Sequence, residues 1–311
     1  MLRFSPIVMV RFSEIAIKSA KTRRWLTERL VSHINFVLGK YGNIDYQTIK
    51  EYSRIFVRTN ETKKVKNIIS SLVPGAVSTS EVFQCSSEIK EIQNCVKMEF
   101  FKKFNKGSSF SVKVKRTGKH SFTSIELAAK IGEYILENNH EKDLKVDLTN
   151  PQYQLNVEVR DEKAYIFDEI NKGLGGLPVG SQGRVLVVVN GEKEDLSNII
   201  QLYKRGALTL IYSIQTNQEI KNDFREAISK LLDLQPQLRQ SEKEIHFPES
   251  RYDINSLLEY YINNECHGIA LSKDVFSRLT NEIPVTLPIF VPHLVTEIDE
   301  EEINSLLTAA I

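Results

Sequence analysis

Val185-Leu186-Val187-Val188-Val189 is an unbroken apolar run in which four of the five residues are β-branched. A strand wetted on one side alternates apolar and polar residues, so a continuous run of this kind needs cover on both faces. Leu196, Ile199, Ile200 and Tyr203 follow at helical spacing and end at Lys204-Arg205-Gly206, after which Leu208 to Ile214 is another apolar strand. Strand, helix and strand at this separation make a βαβ unit, whose crossover brings the two strands parallel. An α/β domain with a parallel sheet and flanking helices is therefore expected over residues 184–311. Later strands are expected at Gly268–Leu271 and Pro288–Val291, and a last helix with Asp299-Glu300-Glu301-Glu302 in its first turn.

The upstream residues have another rhythm. Pro6 to Phe12 reads as a strand, and Lys21 to Leu38 as a helix with Trp25, Leu26, Leu30, Ile34, Val37 and Leu38 on its apolar side and Arg23, Arg24 and Arg29 opposite. A strand at Ile55–Arg58 and a helix over Lys63–Leu72 complete a small α+β unit over residues 1–70. A second α+β unit over 71–170 has a helix from Ser87 to Phe104 and a half-buried strand at Phe110–Lys115. A further helix follows Ser124, with strands near Lys145–Leu148, Leu155–Val159 and Ala164–Phe167. Residues 171–183 are glycine-rich and contain Pro178, which reads as a linker or structured turn. A chain of 311 residues accommodates two or three such domains.

Charge divides the chain in the same sense. Residues 1–130 carry 24 Lys and Arg against 10 Asp and Glu, a balance of +14, whereas 131–311 carry −13. A split this sharp points the first part at a polyanion. Lys113 and Lys115 share one face of their strand, and Arg116, Lys119 and His120 are expected to extend it. Such groups bind phosphates in a salt-dependent manner without specifying a sequence. No apolar run approaches the roughly 20 residues that cross a bilayer, and no secretory signal precedes the first strand. A cytoplasmic protein with no membrane partner is expected. Cys85, Cys95 and Cys266 form no CxxC pair, so they read as reduced core thiols.

No catalytic constellation and no metal-ligand spacing stand out. In a parallel sheet the place to look is the turn after the first strand, where backbone N–H groups at a helix N-terminus receive phosphates. Here that turn is Asn190-Gly191-Glu192-Lys193-Glu194-Asp195, with one glycine and three carboxylates. Carboxylates suit a helix N-terminus but repel phosphate unless a metal intervenes.

Taken in order, several segments resemble the tRNA 4-thiouridine synthetase family, also called tRNA or thiamine-biosynthesis sulfurtransferases. Arg11-Phe12-Ser13-Glu14-Ile15-Ala16-Ile17-Lys18-Ser19 is similar to that family's R-Y-G-E-I-x-L-K-S opening. Phe110 to Arg116, Phe122-Thr123-Ser124-Ile125-Glu126, Lys145-Val146-Asp147-Leu148, Pro151 and Val157-Glu158-Val159 resemble its THUMP domain. Gly175-Gly176-Leu177-Pro178-Val179-Gly180 matches its G-G-L-P-V-G junction, and Lys204-Arg205-Gly206 the end of its first PP-loop helix. The resemblance implies a ferredoxin-like domain, a THUMP domain and a PP-loop domain. It also implies docking of the tRNA acceptor region on the first two, with Lys18, Arg23, Arg24, Lys113, Lys115, Arg116, Lys119 and His120 as candidate contacts. The family's S-G-G-x-D-S loop, which serves ATP, falls on Asn190–Asp195 with only Gly191 kept. Its T-G-E contact falls on Leu271-Ser272-Lys273 without the glycine. The chain ends near the point where the family continues into a segment with a catalytic cysteine.

Three readings remain open from sequence. One is a tRNA-binding protein, as a monomer or a homodimer, with a vestigial nucleotide loop, no cofactor and lost ATP chemistry, assisting a tRNA-modification enzyme. Another is an active thiolating enzyme that uses Mg·ATP through an atypical loop. The third is a protein-interaction scaffold.

Overall fold

The computed structural model describes residues 4–309 apart from 52, 249–252, 280, 285 and 292–299. The first unit contains β1 (Pro6–Arg11), α1 (Ala20–Val37), β2 (Gln47–Glu51), β3 (Arg54–Arg58) and α2 (Thr62–Leu72). The second contains β4 (Ser78–Ser86), α3 (Ile89–Phe100), β5 (Ser109–Thr117), α4 (Ser124–Glu137), β6 (Lys145–Val146), β7 (Tyr153–Arg160), β8 (Lys163–Phe167) and β9 (Asn171–Lys172). Among the described residues these strands make one sheet in the order β2-β3-β1-β4-β8-β7-β5-β6, with β9 pairing β4. β5 runs parallel to β6 and β7; the remaining pairs are antiparallel.

Helices cover one side of this sheet. Leu26, Leu30, Ile34 and Val37 of α1 face Val8, Val10, Ile55 and Val57, while α3 and α4 bury Ile92, Val96, Leu127 and Ile131 against Phe110, Leu155 and Val157. Trp25, expected on the apolar side of α1, is 42% exposed. One residue before Leu26, it is turned about 100° from the buried stripe, and Arg29 covers its ring at 4.8 Å.

The other side of the sheet closes on itself. β2 and β8 stand four strand positions apart, which is about 19 Å on a flat sheet. Yet Lys163 Nζ donates to Glu51 Oε1 at 2.7 Å, and the Tyr165 hydroxyl to Glu51 Oε2 at 3.2 Å. The hairpin β2–β3 therefore folds over β7–β8. Between them lies a small core of Ile7, Met9, Phe56, Val82, Tyr165 and Phe167, with the Phe56 and Tyr165 rings stacked at 4.7 Å.

The C-terminal unit is the expected parallel α/β domain. It comprises β10 (Arg184–Val189), α5 (Lys193–Lys204), β11 (Leu208–Ser213), α6 (Asn222–Asp233), β12 (Ile245–His246), α7 (Ile254–Asn263), β13 (Gly268–Leu271), α8 (Lys273–Leu279), β14 (Ile289–Phe290) and α9 (Glu300–Ala309). The strand order is β12-β11-β10-β13-β14, all parallel. The order reverses at β10, so the carboxyl ends of β10 and β13 flank the crevice where such sheets hold ligands. Asp299, expected in the last helix, lies outside the described residues.

The glycine-rich segment 171–183 is packed. Gly176 has φ +70°, and a Cβ there would collide with the Lys204 carbonyl oxygen. That oxygen accepts the Leu177 N–H at 3.0 Å, and Gly206 O accepts Gln182 N–H at 3.1 Å. A Cβ on Gly206 would in turn strike Ser181 and Pro178. The G-G-L-P-V-G and K-R-G motifs are thus the two halves of one clasp. Beside it, the buried His33 Nε2 of α1 meets Leu234 O at 2.9 Å, and the Tyr203 hydroxyl donates to Leu72 O at 2.7 Å.

Candidate functional site

The turn after β10 is where sequence placed a nucleotide loop. β10 ends at Val189, and Gly191 adopts φ +89°, the left-handed region open to glycine. This turns three successive N–H groups inward. All three donate to one atom, Asp195 Oδ2: Asn190 at 2.9 Å, Gly191 at 3.0 Å and Glu192 at 3.2 Å. Such a concavity of backbone donors is an anion site, and here the chain's own carboxylate fills it. Asp195 is fully buried. Burial pushes its carboxyl up to about 6, and the three N–H groups pull in the opposite direction.

The neighbouring carboxylates are also spent on protein partners. Glu194 Oε1 accepts the Lys273 N–H at 2.8 Å, and Asn190 Nδ2 donates to Asp274 Oδ2 at 3.1 Å. The Ser272 hydroxyl lies against the Asp195 carboxylate. The two turns that border the crevice, 190–195 and 272–274, are knitted together. Next to them is a cavity of about 440 Å³ lined by Glu192, Lys193, Leu196, Lys221, Phe224 and Leu307, among others. Among the described residues no group of three or more His, Cys, Asp or Glu is placed to hold a metal.

The basic candidates fall into two groups. Lys113, Lys115, Arg116 and Lys119 are exposed on β5 and the turn after it. Strand alternation carries Lys113 and Lys115 onto the side opposite the helices. Arg116 does not extend that face as sequence suggested. It points with Val112 and Val114 to the helical side, where its charge acts on Glu126 at the start of α4. His120 is held by Thr117 O at 3.0 Å and stacks on Phe122. The second group is at the start of α1: Lys18, in the turn before the helix, and Arg24 are exposed, Arg23 is half-buried, and Arg24 pairs with Glu28 at 3.1 Å.

Sequence reasoning missed a third set. Arg11, Arg54 and Arg160, from β1, β3 and β7, converge on Glu158 at one end of the inner sheet face. Arg54 Nη2 and Arg160 Nη2 reach Glu158 Oε1 at 2.8 and 2.6 Å, and Arg11 Nε lies 3.8 Å from Oε2. Only their spacing in the folded sheet unites them; nothing in the linear order does.

The ThiI ferredoxin-like domain model matches residues 7–80, and the THUMP domain model residues 86–169. The chain belongs to the ThiI-like family. It is 34% identical over 238 residues to a probable tRNA sulfurtransferase of Methanocaldococcus jannaschii, covering 74% of this chain and 61% of that one. With the probable tRNA sulfurtransferase of Thermococcus kodakarensis the identity is 30%, over 72% of this chain and 59% of the relative. This ThiI-like chain thus spans about three fifths of the length of these curated relatives. Among solved structures, PH1313 from Pyrococcus horikoshii superposes with a TM-score of 0.76 at 25% identity, covering 97% of this chain and 98% of that one. A 4-thiouridine synthetase solved as an RNA complex with bound ATP shares the fold, with a TM-score of 0.67 at 22% identity over 98% and 85% of the two chains.

Proposed function

We propose that this chain binds tRNA at its acceptor region through the ferredoxin-like and THUMP domains, and that its parallel-sheet domain no longer carries out ATP-dependent chemistry. Two matched domains, a +14 balance over residues 1–130 and exposed Lys113, Lys115 and Lys119 support the first half. Relatives described as probable tRNA sulfurtransferases, and a like-folded synthetase holding RNA, point to the same partner. The second half is carried by one observation: Asp195 Oδ2 occupies the donors that a phosphate would need. An incoming phosphate must displace a tethered carboxylate and then sit beside Glu192 and Glu194. On this reading Asn190–Asp195 is a vestigial nucleotide loop that now braces the crevice. The protein would present or shield tRNA for a separate modification enzyme, in a cytoplasmic setting that suits its three free, buried cysteines.

The test is titration calorimetry with tRNA and with Mg·ATP. Saturable tRNA binding that weakens steeply with salt, with no heat from Mg·ATP in the presence or absence of tRNA, is the expected result. Charge reversal of Lys113, Lys115 and Lys119 together should weaken tRNA binding. Saturable Mg·ATP binding or tRNA adenylate would instead assign an active thiolating enzyme.

A further inference from the structure

The cluster on the inner sheet face has more positive charge than its carboxylate can neutralise. Three guanidiniums share Glu158, which is buried, and their side chains are only 15%, 16% and 18% exposed. Another carboxylate of the fold-over, Glu51, is engaged by Lys163 and Tyr165. The remaining partners are neutral: Arg11 Nη1 donates to Ser80 Oγ at 2.9 Å, Arg54 Nη1 to Ser53 O at 2.6 Å and Arg160 Nη1 to Ser53 Oγ at 2.6 Å. Among the described residues, Arg11 Nη2 and Arg54 Nε are buried without a hydrogen-bond partner, and the Arg11 guanidinium lies 4.5 Å over the Phe167 ring. Beside the cluster, Lys115 is the cross-strand neighbour of Glu158 on the same sheet face, with Lys113 next along β5 opposite Asn156.

Grouped guanidiniums removed from water repel one another, and burial lowers the Arg11 pKa to about 10, with Arg54 and Arg160 adding to the effect. An uncompensated buried charge is costly, and a second anion relieves it. The planar forks of arginine suit a tetrahedral oxyanion better than ammonium groups do.

We infer that Arg11, Arg54 and Arg160, with Lys115 at the rim, form a phosphate-binding site on the inner face of the N-terminal sheet, in which Glu158 competes with the ligand. The ligand chemistry is a phosphate group, borne by free phosphate or by a nucleic-acid backbone; the second source rests on the tRNA reading above. The exposed lysines of β5 lead from solvent to the arginines, so a phosphodiester entering over Lys113 and Lys115 would meet the guanidinium edges.

The site predicts an inverted mutational sign. Glu158→Gln removes the competitor, so it should bind inorganic phosphate tighter than wild type while being less stable without it. Lys115→Glu, an exposed change that leaves the core intact, should weaken phosphate at least about fivefold, as expected for one reversed charge near a half-screened anion. Thermal shift and calorimetry with inorganic phosphate, at constant ionic strength in chloride, read both. Tighter phosphate binding and a larger phosphate-induced rise in melting temperature in E158Q, with weaker binding in K115E, establish the site. Unchanged phosphate affinity in both variants overturns it; if E158Q fails to fold, K115E alone decides. The same variants are then titrated with tRNA. Parallel changes assign the nucleic-acid backbone as the source, and unchanged tRNA affinity assigns free phosphate. Absence of tRNA binding by wild type overturns the tRNA reading and leaves the phosphate result standing.

Discussion

Asp195 Oδ2 lies 3.0 Å from the Gly191 amide nitrogen and within 3.2 Å of the amides on either side. A residue five positions after the loop's start reaches back to close it. The loop is thus structurally complete without a ligand.

Reopening it should be feasible. Asp195→Ser with Glu192→Gly restores small side chains where phosphate would approach. This double variant should lose about 1–2 kcal/mol of stability, the worth of a helix cap, and gain measurable pyrophosphate or Mg·ATP binding by calorimetry. Equal silence from wild type and variant toward both ligands would show that the plug is not what excludes nucleotide.

Two buried groups give opposite pH signatures. Burial lowers His33 to about 4. Its contribution is complete above the ordinary histidine value and lost as pH falls from about 6.5 toward 4. Asp195 is raised to about 6, so its contribution is complete below about 4 and lost as pH rises toward 6. The two effects offset each other in wild type between pH 4 and 6. Urea melts across that window should show His33→Gln becoming relatively less stable as pH rises, and Asp195→Asn relatively more stable.

The clasp separates two adjacent glycines. Gly175 and Gly176 have φ of +66° and +70°, but a Cβ meets nothing within 4 Å at Gly175 and strikes a backbone carbonyl at Gly176. Gly175→Ala should cost roughly 1–2 kcal/mol for the left-handed conformation alone. Gly176→Ala adds a collision with the end of α5 and should cost more than about 4 kcal/mol, read by chemical denaturation or by loss of soluble protein.

Tyr203→Phe tests the neighbouring contact. It strands the Leu72 carbonyl in a buried position, at a cost of about 1–3 kcal/mol. Because the bond joins α5 to α2, limited proteolysis of the variant should show faster cleavage within residues 171–183 than in wild type.

The C-terminal sheet was legible because Val185–Val189 and the helix after it obey simple periodicities. The central strand β4 was not. Its first residues, Ser78, Thr79 and Ser80, are polar yet almost wholly buried. Their hydroxyls disguise a core strand: Thr79 donates to Lys66 O and Ser80 to Glu169 O. The basic stretch on β5 was visible as charge, but alternation sends Arg116 away from Lys113 and Lys115. In the loop, the three carboxylates were visible as a poor phosphate cradle. That one of them fills the cradle depends on the Gly191 backbone and on the reach of a side chain, which no spacing rule reports. The arginine cluster draws on residues about 150 positions apart and exists only once the sheet has folded over.

The fold-over also sets the order in which the nascent chain can be completed. β4 emerges early and pairs with β1, but its other edge waits for β8, roughly 80 residues later. β5 waits similarly for β7. Until residue 167 leaves the ribosome, the growing chain carries open strand edges, and its first 130 residues hold a balance of +14. A polyanion nearby during synthesis would act as a counter-ion to the half-made sheet.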